Sequence, residues 1–251
     1  MSTTDRLHPM TAASRVLQIL LACAAGLALV VDALASAWLR GGTFVLHMPD
    51  PNSPGRQVSY WTGSGAGSAL SAFLWLPSVV SWAVIVLWLI WQHGSTANLW
   101  ARGYQGLKIR PGWAVGWWFV PFANLVMPMV AMLELDRRST PDGTPRRASP
   151  VLGWWWAAWL TNSIVPAIGI AGTGISAMVD LARSLDGRHA TSVDLTAAAH
   201  AIAPWVLLAG LLQALAAGLA IAVVRRIDAG QATLGGHDLT PARPDAAWGA
   251  G

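Results

Sequence analysis

Four stretches of this chain, 16–39, 66–91, 151–178 and 195–224, are long, apolar and free of Lys and Arg. A bilayer core is about 30 Å thick, and about 20 residues of α-helix cross it. Each stretch meets that length. Lipid offers backbone polar groups no water to bond, so segments of this kind cross as helices. The sequence therefore predicts an all-α fold, a polytopic transmembrane helix bundle. Residues 13–231 would form one membrane domain, with flexible tails at 1–12 and 232–251.

Composition agrees. Hydrophobic residues make up 54% and charged residues 11%, against about 25% charged in a soluble domain. The net charge of +4 is scattered along the chain. That argues against nucleic acid and fits contact with an anionic inner leaflet. Tryptophan is abundant, 16 against 2 Tyr, and Trp favours the headgroup level of a bilayer. Ten of them, including Trp88, Trp91, Trp118, Trp155 and Trp156, fall near one membrane face, where anchoring is their expected role. The single cysteine, Cys23, excludes an internal disulfide or a Cys-based metal or redox pair. The first stretch has signal-peptide features around Ala33-Leu34-Ala35, but its apolar character continues to Leu39. It is expected to remain as an anchor.

The stretch 113–133, WAVGWWFVPFANLVMPMVAML, is apolar yet holds Pro121, Asn124 and Pro128. Proline removes a backbone donor and crowds the preceding turn, so a straight helix is unexpected. Charge distinguishes a fifth span from a re-entrant or interfacial segment. Arg102, Lys108 and Arg110 precede it, and Arg137, Arg138, Arg146 and Arg147 follow. A re-entrant segment puts both groups on one side, as the preference of Lys and Arg for the cytoplasm requires. Four full spans plus a Pro/Asn-broken re-entrant segment is the favoured reading, a kinked fifth span the alternative. The N-terminus is then cytoplasmic, in the cytoplasmic membrane. In the connection 40–65, segments 43–48 and 56–61 have the pattern of a small β-hairpin cap.

Small residues recur at Gly210, Ala214, Gly218 and Ala222, a stripe that lets another backbone approach. Packing within the bundle is the first expectation for it, and a homodimer through the stripe the second. Asn162 and Gln213, polar residues inside apolar stretches, are expected to bond between helices. Asp32 is the acidic residue well inside an apolar stretch, where a charge is costly and functional by default. Asp180 and His200 flank the last two stretches on the same side and are candidate companions for it. Asn124 is expected to satisfy backbone groups freed by the prolines or to contact a ligand. Enzyme motifs such as GxxxxGK[ST], HExxH, CxxC and GxSxG are absent, and no cofactor or metal site is expected.

Asn98-Leu99, the run Pro111-Gly112-Trp113-Ala114-Val115-Gly116-Trp117-Trp118-Phe119-Val120-Pro121, Asn124, Pro128 and Glu134-Leu135-Asp136-Arg137-Arg138-Ser139 resemble one known family. It is the domain of unknown function 4328 family, of actinobacterial-type integral membrane proteins. Its core pattern reads W-P-G-W-x-x-G-G-W-F-x-P-x-x-N-L-x-x-P. Here Arg110 stands where Trp or Ser is frequent, Trp117 replaces the second Gly of the pair, and Asp136 stands where Trp is common. The resemblance covers about 66–231, implies membrane residence and adds no activity. The resulting expectation is a non-enzymatic binding or scaffold module. Its inner face would meet lipid headgroups or a protein partner through Trp117, Trp118, Pro121, Asn124, Pro128, Arg137 and Arg138. The alternative is a small transporter or channel-like protein using Asp32.

Overall fold

A computed structural model describes residues 10–47, 60–62, 67–104, 106–140, 144–185 and 192–232. Of the expected tails at 1–12 and 232–251, residues 1–9 and 233–251 lie outside the described residues, while Met10, Thr11 and Ala12 begin α1 and Ala232 ends α6. All four apolar stretches are helical: α1 Met10–Gly41, α2 Gly67–Ala101, α5 Pro150–Leu185 and α6 Thr196–Ala232. Each is long and apolar enough to cross a bilayer. Two shorter helices, α3 Pro111–Gly116 and α4 Met127–Arg138, lie between α2 and α5. Prolines 77, 166 and 204 fall inside the long helices, as membrane helices tolerate when neighbours satisfy the freed backbone.

Side-chain pairs fix the order of packing. α1 runs antiparallel to α6: Arg225 bonds Gln18 at one end, and the Ser36 hydroxyl donates to the Ala203 carbonyl at the other. α5 also runs antiparallel to α6, with Trp205 seated on Gly169 and the Asn162 amide donating to Gln213 at 2.7 Å. The two polar residues expected to bond between helices thus bond each other. Outward faces are apolar, with Val79, Trp82, Val86 and Ile90 exposed on α2 and Trp154, Ile168, Ile175 and Met178 on α5. Such a surface suits acyl chains rather than water.

One end of the bundle carries a small sheet. Strand β1 (Val45–His47) is central, with β2 (Tyr60–Thr62) and β3 (Ser192–Asp194) antiparallel on either side. The hairpin cap expected in 40–65 is present as β1 and β2; its connection lies outside the described residues. β3 adds what the pattern did not predict, a tie from the α5–α6 connection to the α1–α2 connection. The Leu195 amide donates to the Phe44 carbonyl, and the Phe44 amide to the Thr196 hydroxyl.

The opposite end holds the main core. Leu17, Trp88, Trp91, Leu99, Met132, Leu135, Leu152, Trp155, Val224 and Ile227 are buried together there. Tryptophan dominates it. Trp91, Trp88, Trp155, Trp156, Trp159 and Trp118 form a continuous chain of ring contacts, 4.8 to 6.0 Å between centroids. This corrects the anchoring expectation for these rings, four of which are buried. Trp88 and Trp91 on α2 are three apart, and Trp155 and Trp156 on α5 are four and three residues before Trp159, spacings that align rings on one helix face.

Candidate functional site

Stretch 113–133 is a broken helical hairpin. Arg110 is extended and Pro111 opens α3, where a missing N–H costs nothing and the fixed φ suits a helix start. A 3₁₀ turn at Trp117–Phe119 follows, the chain reverses through Val120 and Phe122, and a second 3₁₀ turn at Ala123–Leu125 leads into α4. Phe122 has φ +63°, a left-handed backbone that non-glycine residues rarely adopt. Pro128 is in the first turn of α4 and buried, so it starts a helix rather than kinking one.

The hairpin closes at its base. Both carboxylate oxygens of Glu134 are engaged, accepting the amides of Lys108 at 2.6 Å and Ile109 at 2.9 Å. Residues before α3 and at the end of α4 are therefore neighbours, and the segment enters and leaves at one end of the bundle. Trp118 bonds Gln92 and packs on Trp156 and Trp159. Trp159 is nine residues into α5, about 13 Å along a helix at 1.5 Å per residue. The Trp118 contact thus lies along α5 by less than half the thickness of a bilayer core, which is about 30 Å.

Against the outer side of this hairpin lies a groove of about 750 Å³. Lys108, Arg110, Arg137 and Arg138 rim it, Trp113 and Trp117 form an aromatic wall, and Met127, Val130 and Leu133 line it with apolar surface. The two indoles are 4.7 Å apart at 32°. Lys108, Arg110 and Arg137 are exposed and make no ion pair among the described residues. Among the described residues, Glu134 is the one carboxylate in the lining. An anionic group with an apolar attachment fits this combination.

Next to the groove, Asp136 is 2% exposed and holds Arg146 at 2.7 Å and Arg226 at 2.8 Å on one oxygen. Its other oxygen accepts the Ser149 amide. One carboxylate thereby joins α4, the start of α5 and the end of α6. Sequence reading noted Asp136 only as a departure from the family pattern. The available signal was an acidic residue flanked by many arginines. Nearby, burial lowers the Arg102 guanidinium from its ordinary value, with Tyr104 acting the other way.

The predicted binding residues separate into groups. Trp117, Arg137 and Arg138 meet at the groove. Trp118 belongs to the aromatic core, and Pro128 is buried. Pro121 is exposed at the hairpin tip; Asn124 is half-buried there, its backbone amide bonded to the Val120 carbonyl. The structure does not gather Asp32, Asp180 and His200 into one site. Asp32 packs against Gly210, Asp180 pairs with Arg183 in an exposed i,i+3 bridge, and His200 is exposed near the start of α6. Gly210 thus serves contact within the chain, while Gly218 and Ala222 are exposed and Ala214 is half-buried. No metal-ligand cluster occurs among the described residues.

A family model described as "Domain of unknown function (DUF4328)" matches residues 55–229. The chain belongs to the DUF4328 family. The matched region takes in three of the four long helices and the whole hairpin, so the groove and Asp136 lie within the DUF4328 domain. No curated protein and no solved structure matches the chain.

Proposed function

We propose that this DUF4328 protein is a non-enzymatic binding module of the cytoplasmic membrane that engages anionic groups at the inner face. The observation that carries the reading is the groove, where Lys108, Arg110, Arg137 and Arg138 surround the Trp113–Trp117 pair. Orientation is supported by charge. Of the described Lys and Arg, only Arg40 and Arg183 belong to the sheet end; the other ten, from Arg15 to Arg226, belong to the hairpin end. Basic residues favour the cytoplasmic side, so the N-terminus and the groove would face the cytoplasm.

Two measurements test this. In a Cys23→Ala background, Thr144→Cys and Thr43→Cys report the two ends, both positions being exposed. An impermeant thiol reagent should label Thr144→Cys only in inverted vesicles and Thr43→Cys only in intact cells; the reverse pattern overturns the orientation. Charge reversal of Arg137 and Arg138 should lower the anionic fraction of lipid that co-purifies with the protein. An unchanged fraction overturns the binding role.

A second reading, a small transporter or channel-like protein, draws on Asp32, which lies inside a span and makes no ion pair among the described residues. It requires that Asp32→Asn abolish an ion or proton flux in proteoliposomes while the protein stays folded.

A further inference from the structure

We propose that the groove holds a membrane phospholipid. Its phosphate sits among Lys108, Arg110 and Arg137, and one acyl chain lies along the exposed edge of α4 toward the hairpin tip. This rests on the anion-binding reading above and names its ligand.

Three features of α4 point to an amphiphile rather than to a bare anion. Val130, Glu134 and Arg137 are spaced by four and three residues, which places them on one face of α4, and Val126 caps the start of that helix. Val126 is 59% and Val130 41% exposed, and Val130, Glu134 and Arg137 all line the groove. The stripe is apolar at the tip and cationic at the base. From Val126 to Arg137 it rises about eleven steps, or about 16 Å, close to the depth of one leaflet of a core about 30 Å thick. Polarity and length both match a phospholipid standing in that leaflet.

The surroundings support the same occupant. The hairpin turn before α4 also presents Phe119 and Phe122, which are 70% and 86% exposed. At the base, the Trp113–Trp117 wall sits beside the cations, and indoles of this kind favour headgroup depth. Glu134 would repel a phosphate, but both its oxygens already accept backbone amides. Among the described residues the lining carries four cations against this one carboxylate, an excess that favours anionic over zwitterionic headgroups. A soluble phosphate ester would use the rim and leave Met127, Val130 and Leu133 uncovered.

The test is native mass spectrometry of the full chain in a maltoside detergent, titrated with phosphatidylglycerol, phosphatidylcholine or glycerol phosphate. The expected result is retention of phosphatidylglycerol over phosphatidylcholine, with a hundredfold excess of glycerol phosphate failing to displace it. Lys108→Glu with Arg137→Glu should weaken phosphatidylglycerol binding at least tenfold, and the milder Arg137→Gln about threefold. Val126→Ser with Val130→Ser should weaken it several-fold without changing the response to glycerol phosphate. All of these side chains are exposed, and an unchanged elution volume and circular dichroism spectrum confirms the fold of each variant. Displacement by glycerol phosphate at equal concentration overturns the phospholipid assignment and leaves the anion-binding reading standing. Phosphatidylglycerol binding that ignores the charge reversals overturns both.

Discussion

Replacing Asp136 by Ala should be among the most damaging single changes in this protein. Its carboxylate makes three bonds, to Arg146, to Arg226 and to the Ser149 amide. Hydrogen bonds to charged groups contribute about 1.5–3 kcal/mol each, but these three share one acceptor group and do not add. Breaking a fully buried ion pair costs about 3–5 kcal/mol. Here Arg146 and Arg226 remain 27% and 36% exposed, so each can turn partly to water, which pulls the value toward about 3 kcal/mol. For a chain of this size each kcal/mol lowers Tm by about 2–4 °C, giving a loss of about 6–12 °C. The assay is thermal unfolding in detergent, followed by the shift in tryptophan emission. The triple change Asp136→Leu, Arg146→Met, Arg226→Met removes the charges together and should recover most of the loss, because no buried charge is stranded. A single Asp136→Ala variant that melts within 1 °C of the parent refutes the argument. So does a triple variant no better than the single one.

Three further expectations follow from local geometry. Gly230→Ala drives a methyl into the Ser139 carbonyl and should destabilise by about 1–3 kcal/mol, measured as an earlier melting transition. Trp118→Phe keeps most of the ring stacking but removes the indole N–H bonded to Gln92 at 2.8 Å; about 1–2 kcal/mol should be lost, by the same assay. Asp194→Ala removes the acceptor of the Thr196 amide at the start of α6. Bonds from the Thr196 hydroxyl and amide hold the Asp194 carboxyl below its ordinary 3.8. A depressed folded pKa stabilises above the unfolded value and loses that contribution as pH falls through the folded one. The melting gap between parent and Asp194→Ala should therefore be full at neutral pH and close below about pH 3.8.

The spans were legible because hydropathy over some 20 residues is a property of the segment itself, independent of any partner. Asn162 and Gln213 were legible for a related reason: an amide in lipid needs a partner, and the nearest one lies on another helix. The reach of α2 was not. Gln92, Ser95, Thr96 and Asn98 are polar and fall past the apolar stretch 66–91, yet all are buried in the helix. Trp91 and Ser95 face the end of α6 there, bonding Asp228 and Gln231. Trp88, Trp91, Trp155 and Trp156 were misjudged because counting rings near a membrane face does not separate interface from core. The closure of the hairpin was hidden for a different reason. Glu134 bonds backbone amides some 25 residues earlier, and a backbone amide leaves no mark in the sequence.

The commitments of the acidic residues explain why the groove is left charged. At the hairpin end the described carboxylates are Glu134, Asp136 and Asp228. Asp228 accepts the Trp91 indole and bonds Ser14. Asp136 is consumed by Arg146, Arg226 and Ser149, and Glu134 by the amides that close the hairpin. Each carboxylate is used to tie one element to another, and none pairs with Lys108, Arg110 or Arg137 among the described residues. An exposed ion pair would add only about 0–1 kcal/mol to the fold, so leaving these cations unpaired costs stability little. What it does is leave a positive field beside an apolar wall; at a membrane surface a cation of this kind attracts anionic lipid by about 1 kcal/mol. The charges that hold the hairpin together and the charges that face outward are thus different residues. Charge reversal at Arg137 should accordingly change ligand binding with little change in Tm, and Asp136→Ala should change Tm first.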